Sequence, residues 1–119
     1  ITRVISSAKC NKELYRGITM SEASIAKTLK EGGTLELSRP SSFTDKGWGS
    51  AKKYAQDYGF QGETVVVFAI RGKSTSLKNT ENNYGEGEYV SMGKYKITEV
   101  TKHYNSYTVD IEQIGAYDA

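Results

Sequence analysis

Hydrophobic and polar positions alternate on two different periods along this chain, and the switches between them lay out its elements. Leu14-Tyr15-Arg16-Gly17-Ile18 reads as a strand ending at a glycine, with Arg16 on the face that Tyr15 does not take. Thr19 and Glu22 have the spacing of a capping box. Ala23 and Ala26, with Ile25 and Leu29, follow as an apolar stripe that Gly32-Gly33 stops, which predicts a helix near 19–31. Thr34 to Leu37 alternates as a strand and leads into Ser38-Arg39-Pro40-Ser41-Ser42-Phe43-Thr44, a run of hydroxyls broken by the single proline. Hydroxyls of this kind cap turns, and they equally hold a carboxylate or a ribose by hydrogen bonds. Asp45 to Gly49 reads as a flexible loop with Trp48 at its tip, either folded back onto the core or stacked on a planar ligand. Ala51, Tyr54, Ala55 and Tyr58 then recur at helical spacing, with Ser50 as candidate cap and Gly59 as stop. This predicts a second helix over 50–58 whose tyrosine stripe packs into the core.

Thr64 to Ile70 is a continuous β-branched and apolar run, the signature of a central strand buried on both faces. Arg71 to Gly85 is polar, and a loop of that length in a compact domain usually has a task. Beyond it, Tyr84-Gly85-Glu86-Gly87-Glu88-Tyr89-Val90 opens a strand with two carboxylates at i and i+2, which share a face. Like charges side by side raise pKa values, and sites that need one fixed charge and one proton carrier tolerate them. An edge strand that uses glutamate to discourage pairing is the plain alternative. Lys94 to Val100 and Tyr107 to Ile114 close the chain with strand patterns.

Composition narrows the classes of function. The 119 residues fit one domain, 1–119, of the α+β class, and the start at Ile1 reads as a fragment or processed form of something longer. A net charge of +2 indicates neither nucleic acid nor any other charged partner, and no apolar run suggests a membrane partner. Cys10 is the only cysteine, so neither a disulfide framework nor a cysteine zinc cluster can form within the chain, and no metal is expected. His103 is the only histidine and sits in a polar stretch, which reads as solvated rather than catalytic.

The order of these motifs resembles the mono-ADP-ribosyltransferases of the arginine, serine-threonine-serine, glutamate class, found among bacterial toxins, phage enzymes and vertebrate ectoenzymes. The resemblance spans Leu14 to Ile114 and rests on Tyr15-Arg16-Gly17, on Ser41-Ser42-Phe43-Thr44 and on Glu86-Gly87-Glu88. It implies two small, mostly antiparallel sheets around an NAD cleft with flanking helices. It implies that Arg16, with Tyr15 and Gly17, holds an NAD phosphate, a task that suits a forked guanidinium. Ser42 and Thr44 resemble the first and third positions of the hydroxyl motif; Phe43 replaces the middle threonine, and Ser41 offers a competing register. Glu88 resembles the glutamate that stabilises the oxocarbenium-like charge as the glycosidic bond breaks. Glu86 matches the position that, as glutamate, implies transfer to arginine. Tyr84 is implied as an acceptor contact in the substrate loop, and Trp48 falls in the region that folds over nicotinamide and phosphate.

On this resemblance the expected activity is transfer of ADP-ribose from NAD, as substrate, to an arginine of a target protein. An NAD glycohydrolase of the same fold is an alternative, and a non-catalytic binding module built on the nine tyrosines is another. The resemblance further implies a secreted or delivered effector or toxin domain, or a phage protein acting in the host cytoplasm. An inhibitory or immunity protein would then be a further partner.

Overall fold

In a computed structural model, the residues described are 13–70, 76–78 and 88–115. The elements run β1 (Leu14–Met20), α1 (Glu22–Thr28), β2 (Thr34–Thr44), α2 (Trp48–Tyr58), β3 (Thr64–Ile70), β4 (Ser76–Lys78), β5 (Glu88–Lys102) and β6 (Ser106–Gly115). Hydrogen bonding joins the strands into one six-stranded mixed sheet in the order β2-β1-β3-β6-β5-β4, and β2 also pairs with β5, so the sheet curls back on itself. The resemblance implied two small, mostly antiparallel sheets. The difference comes from β5, whose 15 residues pair with β2, β4 and β6 at once and carry the ladder from one region to the next. β3 pairs parallel to β6 and antiparallel to β1, which makes it the central strand its apolar run predicted.

The inside of the curl holds the main core, where Leu14, Phe43, Phe68, Tyr95, Ile97, Val109 and Ile111 meet Ile25 and Leu29 of the α1 segment. The outer face of β1 and β3 carries α2, whose Ala51 and Ala55 lie on Val65 and Val67. Gly17 makes this approach close: a Cβ there would overlap the Ala51 carbonyl oxygen.

Several local expectations shift for reasons visible in the ladder. β1 continues through Thr19 and Met20, paired with Val65 and Thr64, so Thr19 is strand rather than cap. Ser21 caps α1 instead, its hydroxyl accepting from the Ser24 amide at 3.2 Å. Thr19 accepts from the Phe60 amide at 2.9 Å and donates to Glu63 at 3.0 Å, while Glu22 accepts from Thr64 and from the Tyr107 hydroxyl. The helix ends at Thr28, before Gly32-Gly33.

The hydroxyl run continues the strand as the second half of β2. A step of four positions along β2 from Leu37 to Ser41 faces a step of two along β5 from Gly93 to Ser91, an irregularity that contains Pro40. A residue with no backbone donor is tolerated where a bulge leaves the ladder unpaired.

α2 begins earlier than expected, at Trp48 behind Gly47, whose φ of 106° favours glycine. Ser50 is therefore inside the helix rather than its cap. The tyrosine stripe does not pack into the core: Ala51 and Ala55 are 2% exposed, whereas Tyr54 and Tyr58 are 60% and 75% exposed. The tight contact at Gly17 leaves room only for the alanine side.

Candidate functional site

The end of β2 brings the sequence-selected residues together. β1 and β2 share one backbone pair, Tyr15 with Thr44, and from there the two strands part. Thr44 is also opposite Glu88 at the start of β5, with Phe43 opposite Tyr89, Ser42 opposite Val90 and Ser41 opposite Ser91. Tyr15, Thr44 and Glu88 thus occupy one row across β1, β2 and β5, and neighbouring strands in such a row are about 4.8 Å apart. Phe43, one position before Thr44 on the strand, is 2% exposed. Its place in the main core gives Phe43 a packing role. The Thr44 hydroxyl accepts from the Lys46 amide at 3.1 Å and closes the turn that leaves β2.

Arg16 follows Tyr15 and stands where β1 and β2 separate. It lines a cavity of about 440 Å³ with Phe43, Phe68, Leu35, Leu37 and Glu36. Burial pushes the guanidinium pKa down from its ordinary value, and Tyr54 nearby acts in the opposite direction. A guanidinium half-withdrawn from water among apolar side chains binds an anion more strongly than one in bulk solvent, because the surrounding dielectric is lower. Gly17 fixes the depth at which β1 sits against α2, and so the level of Arg16.

Trp48 is folded back rather than extended into solvent. Its indole N–H donates to the Thr108 hydroxyl at 2.7 Å, its ring meets His103 edge-on at 5.5 Å between centroids, and Lys52 lies 5.0 Å from the ring centre. His103 Nε2 is itself 2.7 Å from the Thr108 hydroxyl, so the single histidine belongs to this pin and is not merely solvated. Glu86 and Tyr84, assigned to the acceptor, lie outside the described residues, as does most of the 71–85 loop apart from β4.

Sequence reasoning missed Phe68 and Leu35 as walls of the Arg16 cavity and Thr108 as the anchor of Trp48. It also missed the solvent-facing pair Tyr54 and Tyr58, whose rings lie 4.8 Å apart. Apolar alternation identified Phe68 and Leu35 as strand residues, but only the curl of the sheet brings them beside Arg16.

No protein-family model matches the sequence, and comparison with curated proteins gives no match. Solved structures do match. The ADP-ribosyltransferase Vis in complex with agmatine is 18% identical with a TM-score of 0.63, over 92% of this chain and 52% of that one. Vis is a toxin from Vibrio splendidus. The type III effector XopAI from Xanthomonas axonopodis pv. citri is 11% identical with a TM-score of 0.65, over 92% of this chain and 46% of that one. Exoenzyme S from Pseudomonas aeruginosa, bound to carba-NAD and to human 14-3-3 protein beta, is 12% identical with a TM-score of 0.59, over 91% and 50%. The chain spans about half the length of each of these structures. At such low identity the likeness lies in the backbone: the curled six-stranded sheet with its two helices is similar to the fold of the ADP-ribosyltransferase Vis over about half of that chain.

Proposed function

We propose that this domain transfers ADP-ribose from NAD to an arginine side chain of a target protein, through the arginine, hydroxyl and glutamate arrangement of the class it resembles. The observation that carries the reading is the row Tyr15, Thr44, Glu88 across three strands, with Arg16 next to its first member. Arg16 holds the NAD pyrophosphate, supported by Tyr15 and Gly17. Ser42 and Thr44, with Ser41 beside them, orient Glu88 and the nicotinamide-side ribose. Glu88 stabilises positive charge at the anomeric carbon as the glycosidic bond breaks and nicotinamide leaves with the bonding electrons. The acceptor guanidinium nitrogen then forms the new bond to that carbon and gives its proton to Glu86. Proton removal matters because a guanidinium, always charged in water, is no nucleophile. Tyr84 belongs to the acceptor side of the site.

The toxin and the type III effector among the similar structures support a domain delivered into another cell, where a protein supplies the arginine. The agmatine complex of Vis adds support for a guanidinium acceptor, since agmatine is itself a guanidinium compound. Incubation with labelled NAD and a cell lysate tests the reading. Label is expected on an arginine of a protein and is expected to vanish in Glu88→Gln. Label found only in free ADP-ribose would convert the reading to an NAD glycohydrolase, and no nicotinamide release at all would overturn it.

A further inference from the structure

α2 starts behind Gly47 without a side-chain cap, and side chains from β6 and from the turn before it close over its first residue instead. Trp48 Nε1 donates to the Thr108 hydroxyl at 2.7 Å, and Nε2 of His103, in the turn between β5 and β6, lies 2.7 Å from the same oxygen. The indole and imidazole rings meet edge-on at 5.5 Å. The His103 amide donates to the Ser106 carbonyl at 2.8 Å, which fixes the turn that carries the ring.

Counting protons gives this chain of hydrogen bonds a direction. An indole nitrogen only donates, so the Thr108 oxygen is the acceptor there. The hydroxyl hydrogen then needs an acceptor of its own, because Thr108 is 9% exposed, and among the described residues its one other side-chain partner is His103. Nε2 must therefore offer a lone pair, which places the ring proton on Nδ1 of a neutral imidazole. A protonated ring has no lone pair to give. It would turn an N–H onto the Thr108 oxygen and strand the hydroxyl hydrogen in a buried position, where an unsatisfied donor is destabilising. Of the charged groups on the surrounding elements, Lys52 of α2 sits 5.0 Å from the centre of the same indole and opposes a second positive charge beside it. Lys102 of β5 is turned to the Tyr107 ring at 5.8 Å. Asp110 shares the Thr108 face two positions further along β6, with Glu99 of β5 opposite it. That is roughly 7 Å along the strand, a range at which water weakens the attraction, so the hydrogen-bond count decides.

We propose that Trp48, Thr108 and His103 form a proton-sensitive latch on the start of α2, closed by neutral His103 and loosened when the ring takes up a proton. The closed latch excludes that proton and the unfolded chain accepts it, so the unfolded state binds more protons. The latch therefore adds stability that is present at the alkaline end of the range in which histidine titrates and is lost as the pH falls through it. The inference requires nothing of NAD and stands apart from the reading of Arg16 and Glu88.

Trp48 is the only tryptophan and His103 the only histidine, so each gives an unambiguous signal in the whole chain. Nitrogen-15 NMR of the imidazole at the alkaline end of the histidine range, about pH 8, is expected to show the Nδ1–H tautomer. Thermal unfolding followed by tryptophan fluorescence supplies the second reading, with His103→Gln as the reference. Glutamine offers Thr108 a carbonyl oxygen that does not titrate, so it keeps the acceptor and loses the switch. Between about pH 8 and about pH 5 the melting temperature of the parent is expected to fall by roughly 4 °C more than that of His103→Gln, which cancels the carboxylates common to both. Thr108→Val, which removes the shared oxygen, should unfold at a lower temperature and show no such excess. An Nε2–H tautomer at the alkaline end overturns the latch, as does a parent that falls no further than His103→Gln or an excess that survives in Thr108→Val.

Discussion

β1 and β2 meet at one pair of residues, Tyr15 and Thr44, and they come to that meeting from different kinds of support. β1 is paired with β3 at every position from Leu14 to Met20, backed by α2 at Gly17 and by the core at Leu14. The site end of β2 is held by four pairs to β5 beyond the irregularity at Pro40. One wall is fixed by packing from both faces, and the other by strand register together with the buried Phe43. The cation Arg16 belongs to the packed wall, and the hydroxyl and glutamate positions belong to the registered one. Substitutions on the first should therefore appear in stability and affinity, and substitutions on the second in rate.

The largest expected effect lies on the registered wall. Glu88→Gln keeps the shape and removes the charge that opposes the developing cation. Loss of one preorganised electrostatic contact costs about 10²–10³ in rate. Nicotinamide release should fall by that factor with and without an arginine acceptor, while the melting temperature stays put. Glu86→Gln makes a sharper cut within the same wall: transfer to arginine should fall much further than NAD hydrolysis. Equal losses would join the two carboxylates into one unit and remove the mechanistic support for an arginine acceptor.

On the packed wall, Gly17→Ala drives a methyl group into the Ala51 carbonyl. Overpacking of this sort costs about 1–3 kcal/mol, here against backbone that cannot rotate away. Thermal unfolding should drop by roughly 4 °C per kcal/mol. If α2 instead slides outward at no cost in stability, the packed wall is softer than the ladder suggests, and NAD affinity should fall in its place.

Arg16→Lys is expected to do less. Lysine keeps the charge and loses the fork, so NAD binding should weaken by about tenfold, the loss of one charge-assisted contact. An unchanged dissociation constant would return Arg16 to a structural role beside Phe43 and Phe68.

These contrasts also explain which features could be read from the sequence. Apolar patterns marked out β1, β3 and both helices because each reports burial against a local core, on both faces in the case of β3. The positions of Arg16, Thr44 and Glu88 could be read as motifs, but their alignment depends on β2 pairing with β5 across more than 40 positions of sequence. Turn capping was one reading of the hydroxyls around Pro40 because proline and serine favour turns, yet an irregularity in the ladder accommodates them within a strand. Helical spacing named Ala51, Tyr54, Ala55 and Tyr58 as one set without deciding which half is buried. The absent side chain of Gly17, 34 residues before Ala51, decides it in favour of the alanines. Likewise Ser21 displaced Thr19 as a cap because β3 extends the strand by two residues.

The smallest effect concerns the pin that fixes the free end of α2. Gly47 provides no side-chain cap, so the start of the helix is held by tertiary contacts, chiefly the Trp48 indole on Thr108. Trp48→Phe keeps an aromatic ring over Lys52 and removes the donor. The Thr108 hydroxyl retains His103 as a partner, so it is not left unsatisfied, and the loss should be that of one ordinary hydrogen bond, about 1 kcal/mol. Denaturant unfolding should show a lower midpoint with unchanged slope, since the surface exposed on unfolding is the same. The Michaelis constant for NAD supplies the second reading. A pin at the β6 side of α2 moves it little, because the row Tyr15, Thr44 and Glu88 crosses β1, β2 and β5. A large rise in the Michaelis constant without loss of stability would instead put Trp48 itself against the dinucleotide.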